Sequence, residues 1–163
     1  METNTLPSYE EVLDRLNAFH NPERAGFAPG GLNGGSERMA RLMKRLGSPH
    51  TAIPAVHVAG TKGKGSVTHM TAAALAAAGL KTGLYTSPHV DDVRERIQIQ
   101  GRPVNKEHFI EACLPVMREA EAMRDEGMAP SWFEAFTAVA FVAFKSAHVE
   151  AMVLETGLGG RLD

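Results

Sequence analysis

Gly60-Thr61-Lys62-Gly63-Lys64-Gly65-Ser66 is the stretch on which the reading of this chain turns. Before it, Ala55-Val56-His57-Val58-Ala59 is a short apolar run that suits a buried strand. After it, the segment from Val67 to Ala78 is rich in strong helix formers and closes at Gly79. Strand, glycine loop, lysine, hydroxyl and helix in that order make a cradle for a triphosphate. The glycines let backbone N–H groups turn inward on the anion, and the helix N-terminus adds its partial positive charge. Gly60, Thr61, Lys62, Gly63, Lys64, Gly65 and Ser66 are therefore the expected ATP contacts, with Lys64 at the terminal phosphates and the Ser66 hydroxyl on Mg2+. A loop serving only flexibility has no use for two lysines and a hydroxyl at the mouth of a helix.

The usual spacing of such loops, G-x-x-x-x-G-K-[ST], needs glycine at 58 and a hydroxyl at 65, where the chain has Val58 and Gly65. Here a glycine stands between the lysine and the hydroxyl.

Two more apolar runs read as strands, Thr82-Gly83-Leu84-Tyr85 and Ala151-Met152-Val153-Leu154, and each leads into a polar segment. The first leads into Thr86-Ser87-Pro88-His89 and the second into Glu155-Thr156-Gly157-Leu158-Gly159-Gly160-Arg161-Leu162-Asp163. Glu155, an acid at the end of an apolar strand, is positioned to hold a metal directly or through water. Between them, alternation around Gln100-Gly101 predicts a short hairpin. Helices are expected from Tyr9 to Phe19 (Ser8 and Glu11 as capping box), from a Ser36 cap to Leu46, from an Asn105 cap towards Asp125, and from Trp132 to Lys145. Pro115 is expected to kink the third of these. The order β-α-β, hairpin, α-α-β predicts a three-layer α/β domain of P-loop type around a mainly parallel sheet. Ligands of such sheets lie at the carboxyl ends of the strands, so one cleft is able to receive all three motif segments.

At 163 residues the chain suits a single folded unit. Residues 1–54 are expected to form a helical segment with a Gly-rich loop, and residues 55–163 part of an ATP-binding α/β domain. A net charge of −2 gives no electrostatic case for nucleic acid or an anionic membrane, and no apolar run approaches the ~18 residues of a membrane span. The N-terminus lacks the basic and apolar regions of a secretory signal. The one cysteine, Cys113, forbids an internal disulfide, fits a reducing cytoplasm and reads as core packing among Phe109, Ile110, Leu114 and Met117.

The variant loop, Thr86–His89 and Glu155–Asp163 together resemble the folylpolyglutamate synthase/dihydrofolate synthase family of the Mur ligase superfamily, from about residue 8 to the last residue. The resemblance implies a Mur-ligase-like ATP domain and an ATP-dependent ligase. Such an enzyme phosphorylates a carboxylate of a pterin compound, dihydropteroate or tetrahydrofolate, and joins it to L-glutamate. It implies Mg2+ held by Ser66, Ser87 and Glu155, with Lys64 catalytic. His89, Ser131, Trp132, Phe133, Glu134, Leu162 and Asp163 are implied on the pterin side, where Trp132 and Phe133 would offer flat apolar faces. Gly34-Gly35-Ser36-Glu37-Arg38 is similar to a segment after the family's pterin-contacting loop. Family members carry further strands and a second, C-terminal domain that helps close the nucleotide site, so the chain is expected to be an N-terminal portion that binds nucleotide at most. Two alternatives stay open: another Mur-type amide ligase, and a non-catalytic nucleotide- or partner-binding fragment.

Overall fold

The computed structural model describes residues 6–21 and 35–157. Helix α1 (Tyr9–Asn17) starts at the expected capping box. The Ser8 hydroxyl accepts from the Glu11 N–H at 3.1 Å and the Glu11 carboxylate accepts from the Ser8 N–H at 2.6 Å. Helix α2 (Gly35–Arg45) begins one residue ahead of the serine expected to cap it and buries Leu42 and Met43. A 3-10 turn, Pro49–Ala52, leads into β1 (Ala55–Val58). Then follow α3 (Lys64–Ala77), β2 (Thr82–Tyr85), a 3-10 turn at Val93–Arg96, β3 (Ile97–Ile99), β4 (Arg102–Pro103), α4 (Lys106–Asp125), α5 (Trp132–Ser146) and β5 (Ala151–Glu155). The β3–β4 hairpin turns through Gln100 and Gly101, both at positive φ (51° and 72°), as a two-residue turn of the right twist demands.

The sheet order is β1-β5-β2-β3-β4, with β5 parallel to both β1 and β2 and the hairpin strands antiparallel. Register sets Val58 opposite Glu155 and Tyr85 opposite Leu154, so three neighbouring strands end level. Successive side chains of a strand face opposite sides. Leu84 and Val153 meet Ala72 and Leu75 of α3 on one face. Tyr85 and Met152 join the main core on the other, with Val12, Leu16, Leu42, Phe109, Val116, Phe136, Val139 and Phe144. The layers are therefore helix, sheet, helices. Helix α5, apolar on nearly every side, is the buried centre of the thicker layer. Cys113 is fully buried there, and burial pushes its thiol far above the ordinary range, so it packs and does not react.

One expectation fails. β1 is not a buried strand: Ala55, Val56 and His57 are exposed, Val56 to 42%. Among the described residues β1 pairs only with β5, and α3 packs mainly over β5 and β2, so β1 lies at the rim. Among the described residues, no helix is long and apolar enough to cross a membrane.

Candidate functional site

The chain leaves β1 and enters α3 through Gly63, whose left-handed backbone (φ 74°, ψ 3°) suits a residue without Cβ. No side chain caps this helix, so the first-turn N–H groups, Lys64 to Ser66, have no capping side-chain acceptor; the Val67 N–H returns to the Gly63 carbonyl at 3.0 Å. Open N–H groups on a helix N-terminus form an anion cradle. Lys64 arches over it, donating from Nζ to the Gly60 carbonyl at 3.0 Å. The turn behind is braced by Thr68, fully buried, whose hydroxyl donates to the Lys64 carbonyl at 2.7 Å.

Glu155 closes the cradle from the end of β5. Its carboxylate, 7% exposed as a residue, accepts from the Ser87 N–H at 3.1 Å. A Cβ built at Gly65 would lie 3.6 and 3.7 Å from its two oxygens. A methyl on the glycine between lysine and hydroxyl would come into ordinary contact with the carboxylate. Beside Glu155, the Thr156 hydroxyl is buried with no hydrogen-bond partner among the described residues. The three segments expected at one cleft thus meet at Glu155.

Beyond Ser87 the chain passes a cis Ser87–Pro88 bond and folds around a carboxylate of its own. Glu95 accepts from the N–H groups of Val90, Asp91 and Asp92 at 2.8, 3.1 and 2.9 Å, and those bonds, Val90's first, hold its carboxyl below the ordinary value. Asp92 caps the Val93–Arg96 turn; the hydrogen-bonded Arg94 guanidinium beside it brings its carboxyl down to about 2. Tyr9 donates to Asp92 at 2.9 Å, and burial, then that bond, push its hydroxyl up to about 12. Helix α1 is tied in this way to the segment carrying His89.

The expected pterin side is only partly assembled. Trp132 is no exposed platform: it is 2% exposed, stacked on Phe136 at 4.8 Å and 14°, with the Arg96 guanidinium 4.9 Å from its ring centre. It starts a buried helix, and its face is already used. Ser131 and Glu134 form the capping box of α5, and Glu134 also takes a two-pronged hydrogen bond from Arg38 (3.0 and 3.2 Å). Those carboxylate oxygens hold the α2–α5 junction together. Phe133 is half-buried, its ring 6.3 Å from that of Tyr85. Leu162 and Asp163 lie outside the described residues, as does the Gly-rich loop at 22–34. His89, half-buried, receives the Nε–H of Arg96 on Nδ1 at 2.8 Å. Arg96 joins His89 to Trp132, and sequence reasoning missed it. It falls within the alternating stretch that predicts the hairpin, where it is one polar residue among several. Nothing in the pattern signals that a 3-10 turn would bury Arg96 and Ile97 together.

No family model matches the chain. It is 48% identical over 133 residues to a probable bifunctional folylpolyglutamate synthase/dihydropteroate synthase of Halobacterium salinarum, covering 79% of the chain and 16% of that protein. The crystal structure of folylpolyglutamate synthase from Thermotoga maritima is similar with TM-score 0.83 and 36% identity, over 95% of the chain and 34% of that structure. The folylpolyglutamate synthase of Mycobacterium tuberculosis complexed with ADP is similar with TM-score 0.82 and 34% identity, over 95% and 33%. The chain therefore spans about a third of the length of these synthases of known structure, and less of the halobacterial protein.

Proposed function

Since this chain belongs to the folylpolyglutamate synthase/dihydrofolate synthase family, we propose that it supplies the phosphate-binding half of an ATP-dependent ligase joining L-glutamate to dihydropteroate or a tetrahydrofolate. The convergence of the Gly60–Ser66 cradle and Ser87 on the buried Glu155 carboxylate supports this reading above all else. Open N–H groups, a lysine and a buried carboxylate with its oxygens facing a glycine suit a metal-bound polyphosphate. Ser66, Ser87 and Glu155 would hold Mg2+, which when bound neutralises charge between two anionic reactants.

Amide formation from a carboxylate needs a leaving group better than oxide. In the proposed reaction the γ-phosphoryl of ATP moves to a carboxylate oxygen of the pterin acid and ADP leaves. The glutamate amine then attacks the acyl carbon, loses a proton and expels phosphate. Lys64 holds the terminal phosphates in line with the acceptor, and the α3 N-terminus binds the chain of phosphates, so the work of this segment is positioning and electrostatic stabilisation. His89 and Phe133, both half-buried, are the residues proposed to meet the pterin. Leu162 and Asp163 belong to the same proposal. The protein acts in the cytoplasm, where ATP and glutamate are plentiful. Residues 55–163 form part of the nucleotide domain, residues 1–54 lead into it, and a C-terminal domain completes the site in the whole enzyme.

Phosphate release from ATP, dependent on both dihydropteroate and glutamate, tests the reading. A protein continuing this chain to the length of its relatives should show it, and the 163-residue chain should not. Release by the longer protein that ignores dihydropteroate but responds to another acid would favour a different amide ligase.

A further inference from the structure

Among the described residues β1 is the outermost strand on its side of the sheet, and its free edge is undefended. The Pro54 carbonyl accepts from the Met152 N–H at 2.9 Å and the Val58 carbonyl from the Thr156 N–H at 3.0 Å, so the even positions turn their backbone groups to β5. By alternation Ala55 and His57 turn theirs to the rim, and Ala59 continues the series. Sheets blunt such an edge with charged side chains, proline or a bulge. Residues 55–59 include no proline and no acid, lysine or arginine, and the unbroken register of Ala55–Val58 on Met152–Glu155 excludes a bulge there. Ala55, Val56 and His57 are exposed.

The five residues also read the same in both directions, Ala55-Val56-His57-Val58-Ala59. We propose that this edge pairs with the same edge of a second copy of the chain, antiparallel, about a two-fold axis at His57. The axis sets Ala55 against Ala59, Val56 against Val58 and His57 against His57 of the second copy. Because the His57 backbone groups face the rim, the two central residues exchange both hydrogen bonds, and Ala55 and Ala59 form a bonded pair on either side. Val58 already packs with Ala72, Leu84 and Val153 on the α3 face, and Val56 stands on that face too. Pairing covers Val56, 42% exposed, with a valine of the other copy. A two-fold contact needs a surface that matches itself; this strand does, and it carries no formal charge at its centre to meet its like. The ends agree as well. The carboxyl end of one β1, followed by exposed Lys62, comes beside the amino end of the other, where Glu150 is exposed just ahead of β5. Each Gly60–Ser66 cradle follows the carboxyl end of its own β1, so the two lie at opposite edges of the joined sheet and both stay open. One short strand per copy is a small interface, below the ~1,200 Å² of stable complexes, so association is weak and concentration-dependent. Nothing in this pairing depends on the ligase chemistry proposed above.

Sedimentation equilibrium of the 163-residue chain from about 10 μM to 1 mM should show a monomer–dimer equilibrium. Hydrogen exchange at the Ala55 and His57 amides should slow as the dimer fills. His57→Lys and His57→Glu each set like charges face to face, and each alone should weaken association by about tenfold or more. Mixed in equal amounts, the two variants should restore the dimer. Monomer mass throughout overturns the proposal, whether the rim amides exchange fast or are protected from within the chain. A dimer that His57→Lys leaves intact forms through another surface, and variants that fail to recover on mixing do not face each other across an axis at residue 57; either result overturns it. The wild-type exchange decides even where a variant fails to fold, because a dimer that leaves the Ala55 and His57 amides unprotected also overturns it.

Discussion

Gly65→Ala places a methyl group 3.6 and 3.7 Å from the two carboxylate oxygens of Glu155, ordinary contact distances that the fold accommodates without movement. Gly65 is the second residue of α3, where helical backbone favours alanine over glycine by about 0.5–1 kcal/mol. Stability should therefore hold or rise slightly. Nucleotide binding should move the other way. A Mg2+ ion takes its oxygen ligands at about 2.0–2.1 Å, and a methyl in contact with both oxygens fills the space between the carboxylate and the loop. Losing one charge-assisted contact costs about 1.5–3 kcal/mol, roughly ten- to hundredfold in affinity. Urea unfolding gives the first quantity; calorimetric titration with Mg-ADP, and with ADP in a chelator, gives the second. The expected result is a variant at least as stable as wild type, with Mg-ADP binding weakened and metal-free ADP binding unaltered. A folded variant that binds Mg-ADP as tightly as wild type would refute the placing of the metal at Glu155.

Gly83→Ala should act on the fold alone, because its Cβ would sit 2.8, 2.9 and 3.0 Å from three ring carbons of the buried Phe144. Overpacking of this kind costs about 1–3 kcal/mol, visible as a lower urea midpoint, and Phe144→Leu in the same chain should recover part of it. Asp92→Asn tests the tie between α1 and the His89 segment through pH. Its folded pKa of about 2 lies below the ordinary 3.8, so its contribution is present above about 4 and lost as pH falls through about 2. Wild type should be the more stable near neutrality, and the gap in urea midpoints should narrow across that window; a constant gap would remove the charge from the account.

What the sequence disclosed was local. The capping box at Ser8, the Asn105 cap and the Gln100-Gly101 turn are written in neighbouring residues, and each forms where the spacing places it. The level ends of three strands at one cleft also follow from chain order and the parallel-sheet rule. Sheet order is a different matter. β5 inserts between β1 and β2, which among the described residues leaves β1 at the rim, and the apolar run at 55–59 does not distinguish a rim strand from a central one. Side-chain roles at the α5 N-terminus were hidden for a related reason. Trp132 turns inward because Arg96, distant in sequence, closes on its ring beside Phe136 of the next helical turn, and Glu134 is engaged by Arg38 from nearly a hundred residues away. Long-range partners leave no period to read.

Calorimetric titration of Mg-ATP into the chain and into Lys64→Ala tests the central claim most directly. Lys64 stands at an open helix N-terminus, its Nζ resting on the Gly60 carbonyl 3.0 Å away, from where it can turn to a phosphate. The wild type should bind, and Lys64→Ala should lose about ten- to hundredfold in affinity for the removal of one charge-assisted contact. Equal affinities in the two proteins, both folded, would contradict the phosphate site and with it the proposed ligase chemistry of this segment.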